Sequence, residues 1–215
     1  MIAKNDIKNI TLFDKQGGSW CSTYQGIYNN EEVIIKVQSP GSLNKTNPDD
    51  DRFIQELKIL ELNLPGAVKY YGCGDDWEGE RFVVIERLQE RSSLSSDNFI
   101  VAMKTVLLTS RQLYLRGFNW TWNVKHVLFN KEGYPKLIDF NDDDAYTSYS
   151  TFINREPHFN IDKFLVKMYN HYNQETNIEE VKKIIYDYLL EEEYKSLENC
   201  HDPVFFPEYA HFMRT

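Results

Sequence analysis

The stretch "VIIKVQSP" (residues 33–40) places one lysine, Lys36, inside an apolar and β-branched run. Such a run predicts a strand packed into a sheet, where a charged side chain needs an explanation. One explanation is an edge strand, from which a lysine extends to water along its aliphatic stem. The other is that Lys36 points inward and binds a phosphate group. The residues that precede and follow Lys36 distinguish these two interpretations.

The composition narrows the class of protein. A chain of 215 residues, 41% of them hydrophobic, can form one large domain or two small lobes around a buried core. The formal net charge is -9, and no block of lysines and arginines interrupts the acidic trend. We therefore do not expect a broad nucleic-acid-binding surface.

The cysteines and the apolar runs indicate the cellular compartment of the protein. Cys21, Cys73 and Cys200 have no CxxC spacing, which is typical of reduced thiols and not of a disulfide framework or a zinc site. The N-terminus has no apolar signal core, and no apolar run approaches the length of a membrane span. These features predict a soluble, cytoplasmic protein without a membrane partner.

The sequence changes character near "LQERSSLSSDN". Before this polar stretch, short β-type runs alternate with glycine turns, and after it long helical periodicity prevails. We expect a β-rich N-lobe at 1–90, a hinge or linker at 91–98 and a helical C-lobe at 99–215, which together make an α+β fold.

Local patterns predict the individual elements. The first lobe should contain three antiparallel strands with a hairpin turn at Asn29 and Asn30, then a helix with Phe53, Leu57 and Leu60 on one face, then two more strands. Aspartates 49–51 are candidate caps of that helix. The second lobe should contain a helix at 99–117, a strand–turn–strand unit in "HVLFNKEGYPKLIDF", and helices at 162–172 and 178–194.

The order of these elements and the residues on them resemble the protein-kinase superfamily. "VIIKV" is similar to the family's lysine-bearing third strand, and "FIQELKIL" is similar to its regulatory helix. The resemblance implies that Lys36 binds the α- and β-phosphates of ATP and that Glu56 forms an ion pair with it. The alternative is a lysine that extends to water and an ordinary surface glutamate.

Two further segments carry the likeness. "RFVVIERL" resembles the strand that enters the hinge, which implies that Ile85 is the gatekeeper and that the backbone of Glu86 to Leu88 binds adenine. A buried edge strand is the alternative for this segment. "YPKLIDFNDDDA" is similar to the metal-binding element, which implies that Asp139 chelates Mg²⁺ or Mn²⁺ at the nucleotide phosphates.

The sequence departs from the family pattern at three places. Asn141 replaces the glycine that follows the metal-binding aspartate, and Asp142 to Asp144 are either a second metal ligand or a solvated acidic turn. In the phosphate loop only Gly18 remains, as the middle glycine, so the backbone approaches phosphate less freely. Cys21, at another glycine position, is either a reactive thiol or a small packing residue.

The catalytic loop departs furthest. In "RGFNWTWNVKHVLFN" either Thr121 or Trp122 stands opposite the family's base aspartate, and no carboxylate occurs between Asp97 and Glu132. Asn123 could orient a substrate hydroxyl, and His126 could accept its proton at neutral pH or could simply bind backbone.

The resemblance implies a small, divergent, two-lobed protein-kinase-like fold with a reduced C-terminal region. The implied activity is slow or atypical Ser/Thr phosphoryl transfer with ATP and Mg²⁺ or Mn²⁺ as cofactors. The alternative is a pseudokinase that acts as a nucleotide-gated module for binding another protein. A kinase-like enzyme for a small-molecule hydroxyl is a third interpretation, and the sequence does not identify the substrate or the partner.

Overall fold

The computed structural model describes residues 1–14, 21–39, 52–114, 116, 118, 120, 123–140, 161–172, 177–181, 183–184 and 187. These residues form an α+β structure with a five-stranded antiparallel sheet and a smaller two-stranded sheet. They fall into two compact units: the first holds the described residues of 1–91 and 105–159, and the second those of 92–104 and 160–215. The described residues of 105–159, which belong to the predicted C-lobe, therefore lie in the same unit as the large sheet. The predicted boundaries of the two lobes are not tested by this division.

The large sheet has the strand order β1-β2-β3-β5-β4. The predicted hairpin between β2 and β3 is confirmed, and Asn29 and Asn30 adopt positive φ values of 50° and 65°. Asparagine tolerates this left-handed region better than most residues, which explains the turn. The predicted β4–β5 pair is also present, with its turn at Glu78 and Gly79. The strands are β1 Lys8–Asp14, β2 Cys21–Tyr28, β3 Glu31–Gln38, β4 Tyr70–Trp77 and β5 Glu80–Glu86.

β3 is a central strand, paired with β2 on one side and β5 on the other. Its alternate residues Val33, Ile35 and Val37 are buried in a hydrophobic cluster that includes residues such as Phe82 and Val84. Because successive side chains of a strand point to opposite faces, Lys36 lies on the other face of the sheet. The edge-strand explanation for this lysine is therefore wrong.

Helix α1 spans Arg52–Leu60. Its buried face includes Phe53, Glu56, Ile59 and Leu60, whereas Leu57 is only half-buried. The predicted apolar face, which placed Leu57 inside, was therefore wrong in part, because the helix turns Glu56 toward the protein interior. The helix ends at Leu60, and the predicted capping aspartates lie outside the described residues.

The predicted strand–turn–strand unit is confirmed as β6 (Val127–Phe129) and β7 (Pro135–Leu137), preceded by a 3₁₀ turn at Val124–His126. Backbone hydrogen bonds join this small sheet to the segments that flank β4 and β5. The Leu137 N–H donates to the Gly66 carbonyl at 2.8 Å, and Gln89 and Phe129 exchange two hydrogen bonds at 2.8 and 2.9 Å. These bonds determine where the residues after β7 lie within the first unit.

The helices after the large sheet are α2 (Ser96–Tyr114) and α3 (Ile161–His171). Both predicted helices are thus present, with ends that differ from the predicted ones. Residue 117, the predicted end of the first helix, lies outside the described residues. The described residues of 178–187 are helical. In the second unit the rings of Phe99 and Tyr169 meet edge to face at 6.2 Å between centroids. None of the helices in the described ranges is both long enough and apolar enough to cross a membrane.

Candidate functional site

The ammonium group of Lys36 meets the carboxylate of Glu56 across the inner face of β3. Lys36 Nζ lies 2.6 Å from Glu56 Oε1, and the two side chains are 12% and 2% exposed. The predicted ion pair is therefore present. The alternative, a lysine in water and a surface glutamate, is wrong, because α1 presents Glu56 and not Leu57 to the sheet.

Asp139 follows β7 and brings a second carboxylate to the same ammonium group. Its Oδ1 lies 3.8 Å from Lys36 Nζ, and its side chain is 37% exposed. Asp139 has a φ of 60°, in the left-handed region that few residues other than glycine adopt. Non-glycine residues in this region occur in turns, as at Asn29 and Asn30, and also at functional sites, where the surrounding structure holds them in place.

The backbone beside Asp139 is held on both sides. The Ile138 N–H donates to the His126 carbonyl at 3.0 Å. The Ile138 carbonyl accepts a hydrogen bond from the indole Nε1 of buried Trp120 at 2.9 Å. Together with the Leu137 bond to Gly66, these contacts hold the backbone from which the Asp139 side chain extends.

The 3₁₀ turn at Val124–His126 supplies the remaining side chains. His126 Nε2 lies 3.3 Å from Asp139 Oδ2. Asn123 Nδ2 lies 3.4 Å from the same His126 nitrogen, and Asn123 Oδ1 accepts the Lys125 N–H at 3.1 Å. Glu56, Lys36, Asp139, His126 and Asn123 thus form one continuous set, which we call the Lys36 cluster.

Electrostatics keep the lysine charged. Burial works to lower the pKa of Lys36, but the nearby carboxylates of Glu56 and Asp139 outweigh it, and the net effect raises that pKa. Burial also raises the pKa of the Cys21 thiol, although the Lys36 charge opposes this effect. A neutral, buried thiol fits the packing interpretation of Cys21 and not the reactive one.

The other predicted nucleotide contacts are only partly described. Gly18, Thr121, Trp122, Asn141 and Asp142–Asp144 lie outside the described residues. The Glu86 N–H donates to the Lys69 carbonyl at 2.9 Å, so it is already used within the sheet. Leu88 is half-buried, and no hydrogen bond joins its backbone to another described residue.

A surface pocket of about 370 Å³ lies away from the Lys36 cluster and shares none of its residues. Acidic and basic side chains line it, among them Glu31, Lys69, Glu86 and Lys136. Glu86 Oε2 is buried there without a hydrogen-bond partner among the described residues, and burial raises the pKa of this carboxyl. The pocket therefore does not mark the cluster that the sequence predicted.

Sequence reasoning missed the residues that support Asp139. Trp120 reaches the Ile138 carbonyl through its indole N–H, and Gly66 offers its carbonyl to Leu137. A Cβ on Gly66 would lie 1.8 Å from Thr109 Oγ1, so this position requires glycine. No local pattern identifies either residue, because their partners are distant in the sequence.

The donor atoms of the Lys36 cluster suit a phosphate and a divalent cation. An ammonium held in place by a carboxylate binds phosphate oxygens, and a half-exposed carboxylate is a ligand that Mg²⁺ and Mn²⁺ accept. Within the described ranges no group of three or more His, Cys, Asp and Glu side chains could hold a metal ion by itself. A cation at Asp139 would therefore need ligands from a bound phosphate or from water.

Comparison with known proteins does not assign the chain to a family. No protein-family model matches the sequence, and no curated protein is significantly similar to it. The likeness to the protein-kinase superfamily therefore stays an expectation from the sequence motifs.

Proposed function

We propose that this chain is a small, divergent member of the protein-kinase superfamily with a two-lobed fold and a reduced C-terminal region. It binds ATP with Mg²⁺ or Mn²⁺ and transfers the γ-phosphate slowly to a Ser or Thr hydroxyl of a protein. One observation carries the proposal. The carboxylates of Glu56 and Asp139, which separate motifs predicted, both lie within 3.8 Å of the Lys36 ammonium group.

The Lys36–Glu56 pair is suited to hold phosphate. A lysine side chain is flexible, and an ion pair at 2.6 Å with a buried glutamate restricts it to one position. An ammonium group carries three N–H donors, and phosphate oxygens are acceptors that such donors bind. Burial of such a pair is costly, so its presence is better explained by binding than by stability.

Asp139 is suited to hold the cation that accompanies the nucleotide. When bound, a divalent cation neutralises the charge that develops on the transferred phosphoryl group. The exposed fraction of the Asp139 carboxylate leaves it accessible to such an ion, and the left-handed backbone turns it toward Lys36. The bonds to Ile138 keep this orientation in place before a ligand arrives.

The adenine would bind near Leu88. The Glu86 N–H is taken by Lys69, whereas the Leu88 backbone has no partner in the described part of the chain. Leu88 lies two residues after the end of β5 at Glu86, so its N–H and carbonyl are suited to the hinge role that the resemblance implies.

The acceptor hydroxyl would lie at Asn123 and His126. Asn123 can orient a hydroxyl, and His126 is a candidate to take its proton. No carboxylate occurs in the sequence between Asp97 and Glu132. Loss of a general base slows such reactions by about 10²–10⁴-fold, which is why slow transfer is proposed.

The same missing carboxylate favours a second candidate function. A pseudokinase would use the Lys36 cluster to bind ATP and would couple that binding to a protein partner without transfer. The two candidates share the nucleotide site and differ only in whether the γ-phosphate leaves ATP.

Thermal unfolding with and without ligand tests the shared claim. A ligand at about 100 times its Kd stabilises the folded state by about 2.7 kcal/mol, or about 5–11 °C for a chain of this size. We expect ATP with Mg²⁺ or Mn²⁺ to raise the midpoint, Lys36→Met to lose most of the shift, and Lys58→Ala, on the exposed side of α1, to keep it. An unchanged wild-type midpoint at saturating ATP with either metal would contradict both candidate functions.

A further inference from the structure

The surface pocket at the end of β5 is built by several segments of the first unit. Its lining comes from residues between 63 and 69, which join α1 to β4, and from Glu86 at the end of β5. Residues 130–132 of the β6–β7 turn, Lys136 of β7 and Glu31 of β3 complete it. We call this site the Glu86 pocket.

Backbone hydrogen bonds hold the walls of the Glu86 pocket together. The Glu86 N–H donates to the Lys69 carbonyl at 2.9 Å, and the Val68 N–H donates to the Leu137 carbonyl at 2.9 Å. The antiparallel pairing of β6 with β7 fixes the turn on the remaining side. A pocket of about 370 Å³ is thus formed by the fold itself, which lowers the ordering that binding of a ligand would cost.

One oxygen atom in the Glu86 pocket lacks a hydrogen-bond partner. Glu86 Oε2 is buried and accepts no hydrogen bond from a described residue. No ion pair in the described part of the chain includes Glu86. Burial raises the pKa of this carboxyl, although the Lys69 backbone N–H and the charge of Lys136 oppose the effect. Buried polar atoms without a partner are rare in folded proteins, and a bound group is one explanation for them.

Two lysines of the pocket already have oxygen partners. Lys69 Nζ donates to Glu31 Oε2 at 3.2 Å. Lys136 Nζ donates to the Pro65 carbonyl at 2.5 Å. These ammonium groups are therefore engaged, whereas Glu86 Oε2 is open to an N–H donor from a ligand.

The apolar part of the lining suits an alkyl chain. Leu64, Ala67 and Val68 line the pocket and are at most 6% exposed. Apolar residues beside one buried acceptor suit a ligand with an aliphatic stem and a cationic head, which is the shape of a lysine or arginine side chain. A guanidinium group is less strongly hydrated than an ammonium group and binds carboxylates with two parallel N–H donors. The pocket therefore favours arginine.

We propose that the Glu86 pocket binds an arginine side chain of a protein partner, with the guanidinium group on the Glu86 carboxylate. The rim favours a polypeptide over a free cation. Lys131 and Glu132 are 74% and 48% exposed and lie 3.8 Å apart, so both can bind peptide groups beside the arginine. The inference does not rest on the proposed nucleotide site, because the pocket shares no residue with the Lys36 cluster.

A chemical-shift titration of the isotopically labelled full chain tests the inference. The probe is acetyl-Gly-Arg-Gly-amide, and a matched peptide carries citrulline, which has the shape of arginine without its charge. We expect saturable shifts at the backbone amides of Lys69, Glu86 and Glu132. The citrulline peptide should bind at least about tenfold more weakly, because hydrogen bonds between charged groups are roughly twice as strong as neutral ones. Agmatine, a guanidinium compound without peptide groups, should also bind more weakly than the arginine peptide.

Two matched variants assign the binding to the carboxylate. Glu86→Gln keeps the shape of the side chain, removes its charge and should weaken binding of the arginine peptide at least about tenfold. Glu90→Gln, at an exposed glutamate four residues later, should change the Kd by less than about fivefold. The comparison of the two peptides on the wild-type chain does not depend on the folding of a variant.

The outcomes separate this inference from the proposed function. Equal affinity for the arginine and citrulline peptides, or no saturable shift at the pocket, would overturn the inference. Agmatine that binds as tightly as the arginine peptide would overturn the assignment to a protein partner. None of these results changes the thermal shift expected with ATP, and absence of that thermal shift would leave the arginine site intact.

Discussion

Removal of the Glu56 carboxylate should destabilise the protein strongly. The variant Glu56→Leu leaves the Lys36 ammonium, 12% exposed, with Asp139 at 3.8 Å as its remaining carboxylate in the Lys36 cluster. Loss of one partner from a buried ion pair costs about 3–5 kcal/mol. Because Asp139 is partly solvated and farther away, we expect the lower end of that range, about 3 kcal/mol, which lowers the midpoint by about 6–12 °C.

Replacement of both partners should restore most of this loss. The double variant Lys36→Met with Glu56→Leu removes the unpaired charge and fills the space with apolar side chains, which is often neutral or stabilising for a buried pair. Urea unfolding followed by circular dichroism gives the four free energies of the cycle, with unchanged slopes as the check on comparability.

Two results would refute this reasoning. One is a cost below about 1 kcal/mol for Glu56→Leu, which is the range of exposed ion pairs. The other is a double variant whose cost equals the added costs of the two single variants, because the charges would then not interact.

Three further predictions follow from the geometry. Asp139→Asn should abolish transfer of labelled γ-phosphate to protein substrates, because Asp139 holds the cation of the proposed site. His126→Ala at saturating ATP and metal should keep most of the wild-type rate, because positioning carries most of the reaction; a loss of about 10² or more would identify His126 as the proton acceptor instead. Because burial raises the pKa of Glu86, the folded state keeps a proton that the unfolded state has lost, and the free energy of unfolding should fall as pH rises above the carboxyl's ordinary range. Glu86→Gln should remove that part of the fall in urea titrations from about pH 4 to about pH 7; an identical pH profile in both proteins would contradict the assignment. Gly66→Ala should cost about 1–3 kcal/mol, because its Cβ would lie 1.8 Å from Thr109 Oγ1, and Thr109→Ala in the same chain should recover part of it; a thermal midpoint of Gly66→Ala equal to wild type would contradict this.

The parts of the fold that local sequence determines were predictable. Two consecutive asparagines between β-type runs predicted the β2–β3 turn, because asparagine tolerates the left-handed backbone that the turn requires. The strand–turn–strand unit around Lys131 to Gly133 was predictable for the same kind of reason. The spacing from Lys36 to Glu56 predicted their ion pair only through the likeness to a known family.

The parts that depend on distant contacts were not predictable in the same way. An amphipathic pattern assigns the buried face of a helix by its apolar residues, so it placed Leu57 inside. It carries no information on Glu56, which is buried because its carboxylate pairs with Lys36 on β3. The support of Asp139 by Trp120 and Gly66 has no local pattern, since each contact joins segments that only the folded chain brings together. The contact of His126 with Asp139 also became visible only in three dimensions.

A crystal structure with a non-hydrolysable ATP analogue and Mn²⁺ tests the central claim most directly. The account predicts an anomalous Mn²⁺ peak in bonding distance of the Asp139 carboxylate and a phosphate oxygen in hydrogen-bond distance of Lys36 Nζ, with the Lys36–Glu56 ion pair retained. An analogue bound elsewhere, with Lys36 in contact only with carboxylates and no Mn²⁺ at Asp139, would contradict it.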